Sequence, residues 1–155
     1  MKWNIKFLIK HPPIDEKQLL EFEKSIQTKL PNSYRSFLLE TNGGAPLNNA
    51  FDVFSPSENL TLYTFIISKF LGIGVKDDLI KAYKLFHKEL PPFFLPFTMD
   101  NFKNFMCISL KTEEIYFWDY QTTLTKPKTV KEKPLFLFVA ENFEEFMDKL
   151  YYQKN

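Results

Sequence analysis

Read as a run of apolar and polar positions, the chain opens with two helical patterns. In Ile14-Asp15-Glu16-Lys17-Gln18-Leu19, Asp15 can cap a helix, Gln18 stands three residues on, and Ile14 with Leu19 forms a hydrophobic staple across the start. Leu19, Phe22 and Ile26 continue that apolar stripe. The second pattern runs from Leu30 to Pro46. Pro31 has no backbone N–H and a preset φ, which suits the first helical position; Tyr34, Phe37, Leu38 and Thr41 then follow at i, i+3, i+4 and i+7. Arg35, Ser36 and Glu40 fall on the outer side. Asn42-Gly43-Gly44 ends the helix, because a glycine just past the last turn can take the left-handed conformation that closes the open carbonyls, and Pro46 cannot continue it. Only a few residues around Lys29 separate the two patterns, so they are expected to pack as an αα-hairpin that precedes a sheet.

Further along, the periods alternate between strand and helix. Asn48 to Asn59 is polar but interrupted by Phe51, Val53 and Phe54, which predicts a short strand or an ordered loop. Aromatic and β-branched residues before Gly72 and Gly74 predict a strand over Tyr63–Phe70. Asp77-Asp78 starts a third helical pattern, with Leu79, Tyr83, Phe86 and Leu90 on one face until Pro91-Pro92. Residues 90–97, Leu-Pro-Pro-Phe-Phe-Leu-Pro-Phe, are too rich in proline for a central strand and read as an extended connector. Phe105–Leu110 and Ile115–Asp119 flank the polar Lys111-Thr112-Glu113-Glu114, the pattern of a β-hairpin. Gln121 to Lys133 reads as a solvated loop before the apolar run Leu135–Val139. Asn142 with Glu145 three residues on caps a closing helix whose Phe143, Phe146, Met147 and Leu150 keep helical spacing and should lie on the sheet. The plan is α+β: an N-terminal helix pair, a mostly antiparallel sheet with an inserted helix, and a C-terminal helix packed on the sheet.

The totals narrow the class. A chain of 155 residues suits one domain, and a domain of that size buries about 68–70% of its unfolded surface without covalent staples. Aromatic residues form 17% of it and include 18 Phe, more than scattered surface positions would use, so an aromatic core is expected. With 20 basic and 19 acidic residues the formal charge is +1, and no run of five like charges occurs, so neither a nucleic acid nor an anionic membrane is an expected partner. Cys107 is the lone cysteine, and lysines at 2, 6 and 10 break up the apolar N-terminus. Without disulfides or a signal-like leader, the expected location is the cytoplasm.

Candidates for catalysis are few. His11, His87 and Cys107 are far apart in sequence, unlike the spaced pairs of a zinc site, and Cys107 alternates within a strand as a small core residue would. Gly43-Gly44 ends a helix, whereas anion-binding glycines open one, and Gly72-x-Gly74 reads as a bend. The carboxylate pairs Asp77-Asp78, Glu113-Glu114 and Glu144-Glu145 are accounted for by a helix start, a turn and a helix first turn. Lys126, Lys128, Lys131 and Lys133 lack interleaved aromatics, so they read as a solvated loop. No cofactor or metal is implied, and the chain is not expected to be an enzyme.

The Pro31 helix, with its inward Tyr34, Phe37 and Leu38 and its Asn42-Gly43-Gly44 stop, resembles the signature helix of the SUKH superfamily, which groups bacterial toxin-immunity proteins with yeast cell-wall regulators. The likeness extends in order along nearly the whole chain. Pro12-Pro13-Ile14-Asp15 into Leu19 and Phe22 resembles the opening helix, and Leu90-Pro91 with Leu95-Pro96-Phe97 resembles the lead-in to a central strand, whose place Phe105–Leu110 takes. Ile115–Asp119 is similar to the following strand and Ala140–Phe146 to the closing motif, with Asn142 where Ser is common. Leu30, Pro31, Tyr34, Phe37, Leu38, Asn42, Gly43 and Gly44 thus form a structural motif. Two places depart from the pattern: Asn101-Phe102-Lys103-Asn104, where members often carry a Gly-containing turn, and Tyr120-Gln121, where a His or Glu often stands.

The resemblance implies a cytoplasmic, bacterial binding module that neutralises a cognate toxin domain by occluding it; the alternative is a regulatory scaffold or adaptor like the yeast relatives. Asn101, Phe102, Lys103, Asn104, Trp118, Tyr120 and Gln121 serve no turn or cap that the pattern requires, and they are the expected partner surface, with Asp52 beside them. Trp118 and Tyr120 share one face of the hairpin, opposite Ile115 and Phe117. If the Ile115 and Phe117 face is core, Trp118 and Tyr120 lie either under the closing helix or exposed, and exposed Trp and Tyr are favoured at interfaces.

Overall fold

The computed structural model describes residues 5–55, 60–121 and 136–154. Asp15 caps α1 (Glu16–Ile26): its carboxylate accepts from the Gln18 N–H at 2.9 Å, while the Gln18 side chain accepts from the Asp15 N–H at 3.0 Å. Both orphan donors of the capping box are satisfied, as the spacing predicts. The α2 helix (Asn32–Thr41) starts one residue later than expected. Pro31 is its cap rather than its first helical residue, with ψ still extended at 145° and its carbonyl accepting from the Arg35 N–H at 2.9 Å.

The two helices are joined through a buried acid. Glu23 is 6% exposed and accepts from the Leu30 N–H at 2.7 Å and from Arg35 at 2.9 and 3.1 Å, and Arg35 also reaches Glu16 at 2.6 Å. Arg35 therefore does not simply face outward; it bridges α1 and α2. Burial pushes the Glu23 carboxyl up, but the hydrogen bonds from Arg35 and Leu30 together with the Arg35 charge outweigh it, and its pKa ends below the ordinary value.

The main sheet has seven strands in the order β1-β2-β5-β6-β7-β8-β9, every neighbouring pair antiparallel. Its members are β1 (Phe7–Lys10), β2 (Gly44–Pro46), β5 (Lys69–Phe70), β6 (Phe94–Met99), β7 (Phe105–Ser109), β8 (Ile115–Trp118) and β9 (Phe136–Ala140). A separate hairpin is made by β3 (Ala50–Phe54) and β4 (Thr61–Ile66). The strand expected over Tyr63–Phe70 is thus split between two sheets. The switch falls at Ile67 and Ser68, whose N–H groups bond Asn49 O in the hairpin and Met99 O in the main sheet.

Two strands run against the sequence reading. β1 precedes the helix pair and forms one edge of the sheet, so the helices are not the first element. β6 lies inside the sheet although Pro96 belongs to it. The register between β6 and β7 shifts between Pro96 and Thr98, and β5 pairs only with Thr98 and Met99, so the proline sits at a bulge, where its missing N–H is tolerated. The expected β7–β8 hairpin is present, with Phe105 opposite Trp118 and Ile108 opposite Ile115. The loop expected from Gln121 to Lys133 lies almost wholly outside the described residues, as do positions 56–59 of the polar stretch before β4.

Side chains alternate across the sheet. Met106, Ile108, Ile115 and Phe117 face the larger core, built with α1, α2, the β3–β4 hairpin and α4 (Phe143–Asp148). Aromatic rings fill it: Tyr34 meets Phe143 at 5.1 Å, Phe37 meets Phe70 at 5.0 Å, and Phe146 lies on Phe51 at 4.8 Å and Phe97 at 5.3 Å. Phe105, Cys107 and Trp118 face the other way, under α3 (Leu79–Phe86), which is capped by Asp78. The closing helix is capped by Asn142 as expected, its side-chain Oδ1 accepting from the Glu145 N–H at 2.8 Å.

Gly43 and Gly44 lead α2 into β2 with φ of 80° and 115°. A Cβ at Gly43 would stand 2.5 Å from Leu71 O, and one at Gly44 2.1 Å from Ile9 O. Gly43→Val and Gly44→Val are each expected to cost at least about 1–2 kcal/mol from backbone conformation alone, visible as a lower melting temperature. The Glu23 pair makes a second prediction, in acid. A carboxyl whose folded pKa is depressed contributes stability that is fully present above its unfolded value of about 4.3 and is lost as pH falls through the folded value. Melts of Glu23→Gln should therefore show lower stability than wild type at neutral pH and a shallower loss below about pH 4.

Candidate functional site

The β6–β7 turn is shaped by one buried carboxylate. Asp100 is 1% exposed; its Oδ1 accepts from the backbone N–H groups of Phe102 at 2.9 Å and Asn104 at 2.8 Å, and its own N–H donates to Asn104 O at 3.1 Å. An aspartate that folds the chain back on itself in this way leaves the residues between with nowhere to go but out. Lys103 takes a left-handed φ of 63°, and the Phe102 side chain is 68% exposed.

The other carboxylate oxygen of Asp100 accepts from the Tyr63 hydroxyl on β4. Tyr63 OH also accepts from Asn104 Nδ2 at 3.2 Å, and Asn104 Oδ1 accepts from the Gln121 N–H at 3.0 Å. The Tyr63 ring stacks on Phe117 of β8 at 5.1 Å. Burial, then the bond to Asp100, push the Tyr63 phenol well above its usual pKa, with the charges of Asp100 and Asp119 adding to the effect. The hydroxyl is thus held as a donor, and the network locks the turn to the hairpin on one side and to the end of β8 on the other.

Around this network opens a cleft of about 460 Å³. Val53, Leu62, Phe117 and Leu137 form its apolar walls with the ring of Phe102, and Tyr63, Asn104, Asp119 and Gln121 supply its polar groups. A second recess of about 320 Å³, lined by Tyr63, Thr64, Ile66, Asp100 and Asn101, lies on the other flank of Phe102. Phe102 is a wall shared by both.

Three residues of the expected partner surface, Phe102, Asn104 and Gln121, therefore meet in one cleft, and Asn101 lines the recess next to it. Lys103 is exposed on the same turn. Asn104 is 4% exposed and acts from within, fixing the turn rather than offering a surface. Trp118 leaves the partner surface altogether. It is fully buried under α3, with Phe86 at 5.3 Å, Phe105 at 5.5 Å and Phe136 at 5.9 Å. Tyr120 is half-buried in the same cluster, 5.0 Å from Phe86 and 4.8 Å from Trp118. The inserted helix, not the closing one, covers this face. Asp52 does not line the cleft; it accepts from Thr64 Oγ1 at 3.0 Å and from Tyr151 OH at 2.7 Å.

Sequence reasoning missed Tyr63, Asp100 and Asp119. The signal for Asp100 was present: Asp100-Asn101 and Asn104 between two apolar runs are the residues that bond their own backbone in turns. Elsewhere, His87 Nδ1 lies 3.1–3.2 Å from the carbonyls of Lys84 and Tyr83. Among the described residues no group of three or more His, Cys, Asp or Glu is arranged to hold a metal ion, and no helix is long and apolar enough to cross a membrane.

The helix pair, the glycine stop, the strands β2 to β9 and the closing helix lie within residues 13–149, and that stretch matches the SMI1 / KNR4 family (SUKH-1). The chain belongs to the SUKH-1 family. A relative of this SUKH-1 protein, the SPbeta prophage-derived uncharacterized protein YokK of Bacillus subtilis (strain 168), is 28% identical, over 91% of this chain and 77% of that protein. The residues of the SUKH-type motif are structural here: Leu30, Tyr34, Phe37 and Leu38 are core side chains, and Pro31, Asn42, Gly43 and Gly44 set the ends of α2.

Cys107 is fully buried on β7, and burial pushes its thiol well above the ordinary pKa. In the native protein it should resist a thiol reagent over the time in which the denatured chain reacts fully. Native labelling at the denatured rate would place it at an accessible site and reopen it as a nucleophile.

Proposed function

We propose that this SUKH-1 protein is a non-catalytic binding module, an immunity protein that neutralises a cognate toxin domain by covering its active site. One observation carries the reading: Phe102 is 68% exposed, yet its backbone is fixed by the Asp100 carboxylate, between two clefts. An aromatic side chain held out in water contributes nothing to the stability of the free chain, whereas at an interface such side chains carry much of the binding energy. A fixed turn also loses little conformational entropy when a partner closes over it. Family membership supports the reading, and the formal net charge of +1 makes recognition local rather than steered from a distance.

The test is co-expression with a toxin domain encoded beside the gene, scored by survival and by titration of the purified proteins. Wild type should protect, and Phe102→Ala should weaken the complex by about 2 kcal/mol, roughly thirtyfold in Kd, with an unchanged melting temperature. Absence of both protection and complex formation by the folded wild-type protein would overturn the immunity reading.

A further inference from the structure

The β3–β4 hairpin is a ladder of two strands, and its outer edges differ. In an antiparallel pair, residues that bond across alternate with residues whose backbone groups point away. The Ile67 N–H donates to Asn49 O at 2.7 Å, so with Phe51 opposite Phe65 and Val53 opposite Tyr63 the odd positions bond across. Ala50, Asp52, Thr64 and Ile66 therefore turn their N–H and C=O groups outward. On the β3 side the edge is closed at Ala50, whose N–H donates to Tyr151 O at 2.8 Å and whose carbonyl accepts from the Tyr151 N–H at 3.0 Å. On the β4 side it is closed only at Ser68, whose N–H donates to Met99 O, at the end of β6, at 2.9 Å. At Asp100 the chain turns away, and among the described residues nothing bonds the backbone of Thr64 or Ile66. Beside them lies the recess of about 320 Å³ between β4 and the β6–β7 turn, with Asn101 and Phe102 on its far side. Edge strands ordinarily carry charge or proline that discourages pairing, as Lys10 does in β1; β4, Thr61–Ile66, carries neither.

We infer that the partner adds an extended strand to the open edge of β4, its backbone pairing with Thr64 and Ile66 and one apolar side chain lodged in the recess against Phe102. The occupant follows from the row of groups it must satisfy. Donors and acceptors that alternate along a strand edge are matched by another extended backbone, which offers acceptors and donors at the same repeat. A helix keeps its backbone bonds to itself and would leave the edge unpaired. The edge adjoins the exposed ring of Phe102, so strand pairing and the aromatic contact belong to one surface. Backbone pairing supplies affinity with little regard to sequence, and the recess supplies the selectivity.

The inference rests on the protein-binding reading and specifies its geometry, and the experiment separates the two. Amide exchange is followed by NMR in the isotope-labelled full chain, alone and in complex with the toxin domain encoded beside the gene. In the free chain the Thr64 and Ile66 amides should exchange much faster than those of Tyr63 and Phe65. In the complex they should become protected and should show nuclear Overhauser contacts to backbone protons of the partner. Ile66→Pro removes an outward N–H at a place where an edge strand tolerates proline, and it should weaken the complex at least about tenfold, whereas Ile66→Val should not. Slow exchange of Thr64 and Ile66 in the free chain would mean an edge already covered and would overturn the inference. So would a complex in which these amides stay unprotected, or are protected without backbone contacts to the partner; the strand then falls and the immunity reading stands. Both exchange measurements use the wild-type chain, so they decide the matter even if the proline variant does not fold. Absence of any complex overturns both readings together.

Discussion

The structure depends on what Asn42 does at the end of α2. Its residue is 1% exposed and left-handed, with φ 52°, and its own N–H closes the helix on Leu38 O at 2.8 Å. Its side chain then donates to Pro12 O and Ile73 O, both at 2.9 Å, and accepts from the Ile73 N–H at 2.8 Å, while its carbonyl accepts from His11 Nδ1 at 2.8 Å. One residue therefore ties the exit of β1, the end of α2 and the loop after β5. The two glycines that follow pass into β2 between β1 and β5, at distances that admit no side chain. Gly72 is held as tightly, since a Cβ there would stand 2.2 Å from Asn42 O. Each of these bonds contributes only about 1 kcal/mol net, but being buried they cost more to leave unmade, so three chain segments are fixed relative to one another at a single point.

From that point the aromatic packing follows. With α2 anchored at its C-terminal end, Tyr34 and Phe37 are aimed at β5, β6 and α4, where they meet Phe70, Phe97 and Phe143. The core is bought at one visible cost: Tyr34 OH and Trp118 Nε1 are buried with no hydrogen-bond partner among the described residues. Both belong to large side chains buried on every side, and the apolar area they remove from water outweighs a lost polar contact of about 1–3 kcal/mol. Tyr34 thus serves the core as an aromatic ring rather than through its hydroxyl.

Where the sequence was legible, the signal was local. The capping box at Asp15, the cap at Asn142, the glycine stop after α2 and the β7–β8 hairpin each rest on residues within a few positions of one another. What was not legible depends on partners far along the chain. β1 is a strand because β2 offers it an edge, and Phe7 earns its place by meeting Phe37 and Phe70. Pro96 reads as a strand breaker until a bulge against β7 absorbs it. Alternation put Trp118 and Tyr120 on one face correctly, but only the position of α3, with Phe86 against both, decides that the face is interior. The expected partner surface was chosen as residues without a structural task, and that criterion fails for side chains whose task is set by a distant element.

The same non-locality governs the cleft. Its walls come from β3 and β4, from the β6–β7 turn, from β8 and the residues after it, and from β9, so no single segment contains it. The joint is Tyr63, which pairs across the hairpin with Val53, stacks on Phe117 of the main sheet and donates to Asp100 in the turn. Because Asp100 also holds the backbone of Phe102 and Asn104, docking of the hairpin on the sheet and presentation of Phe102 are stabilised by the same carboxylate. A partner that binds across Phe102 and the cleft therefore binds the docked arrangement of hairpin and sheet in preference to an undocked one. By linkage, that partner must stabilise the hairpin it touches.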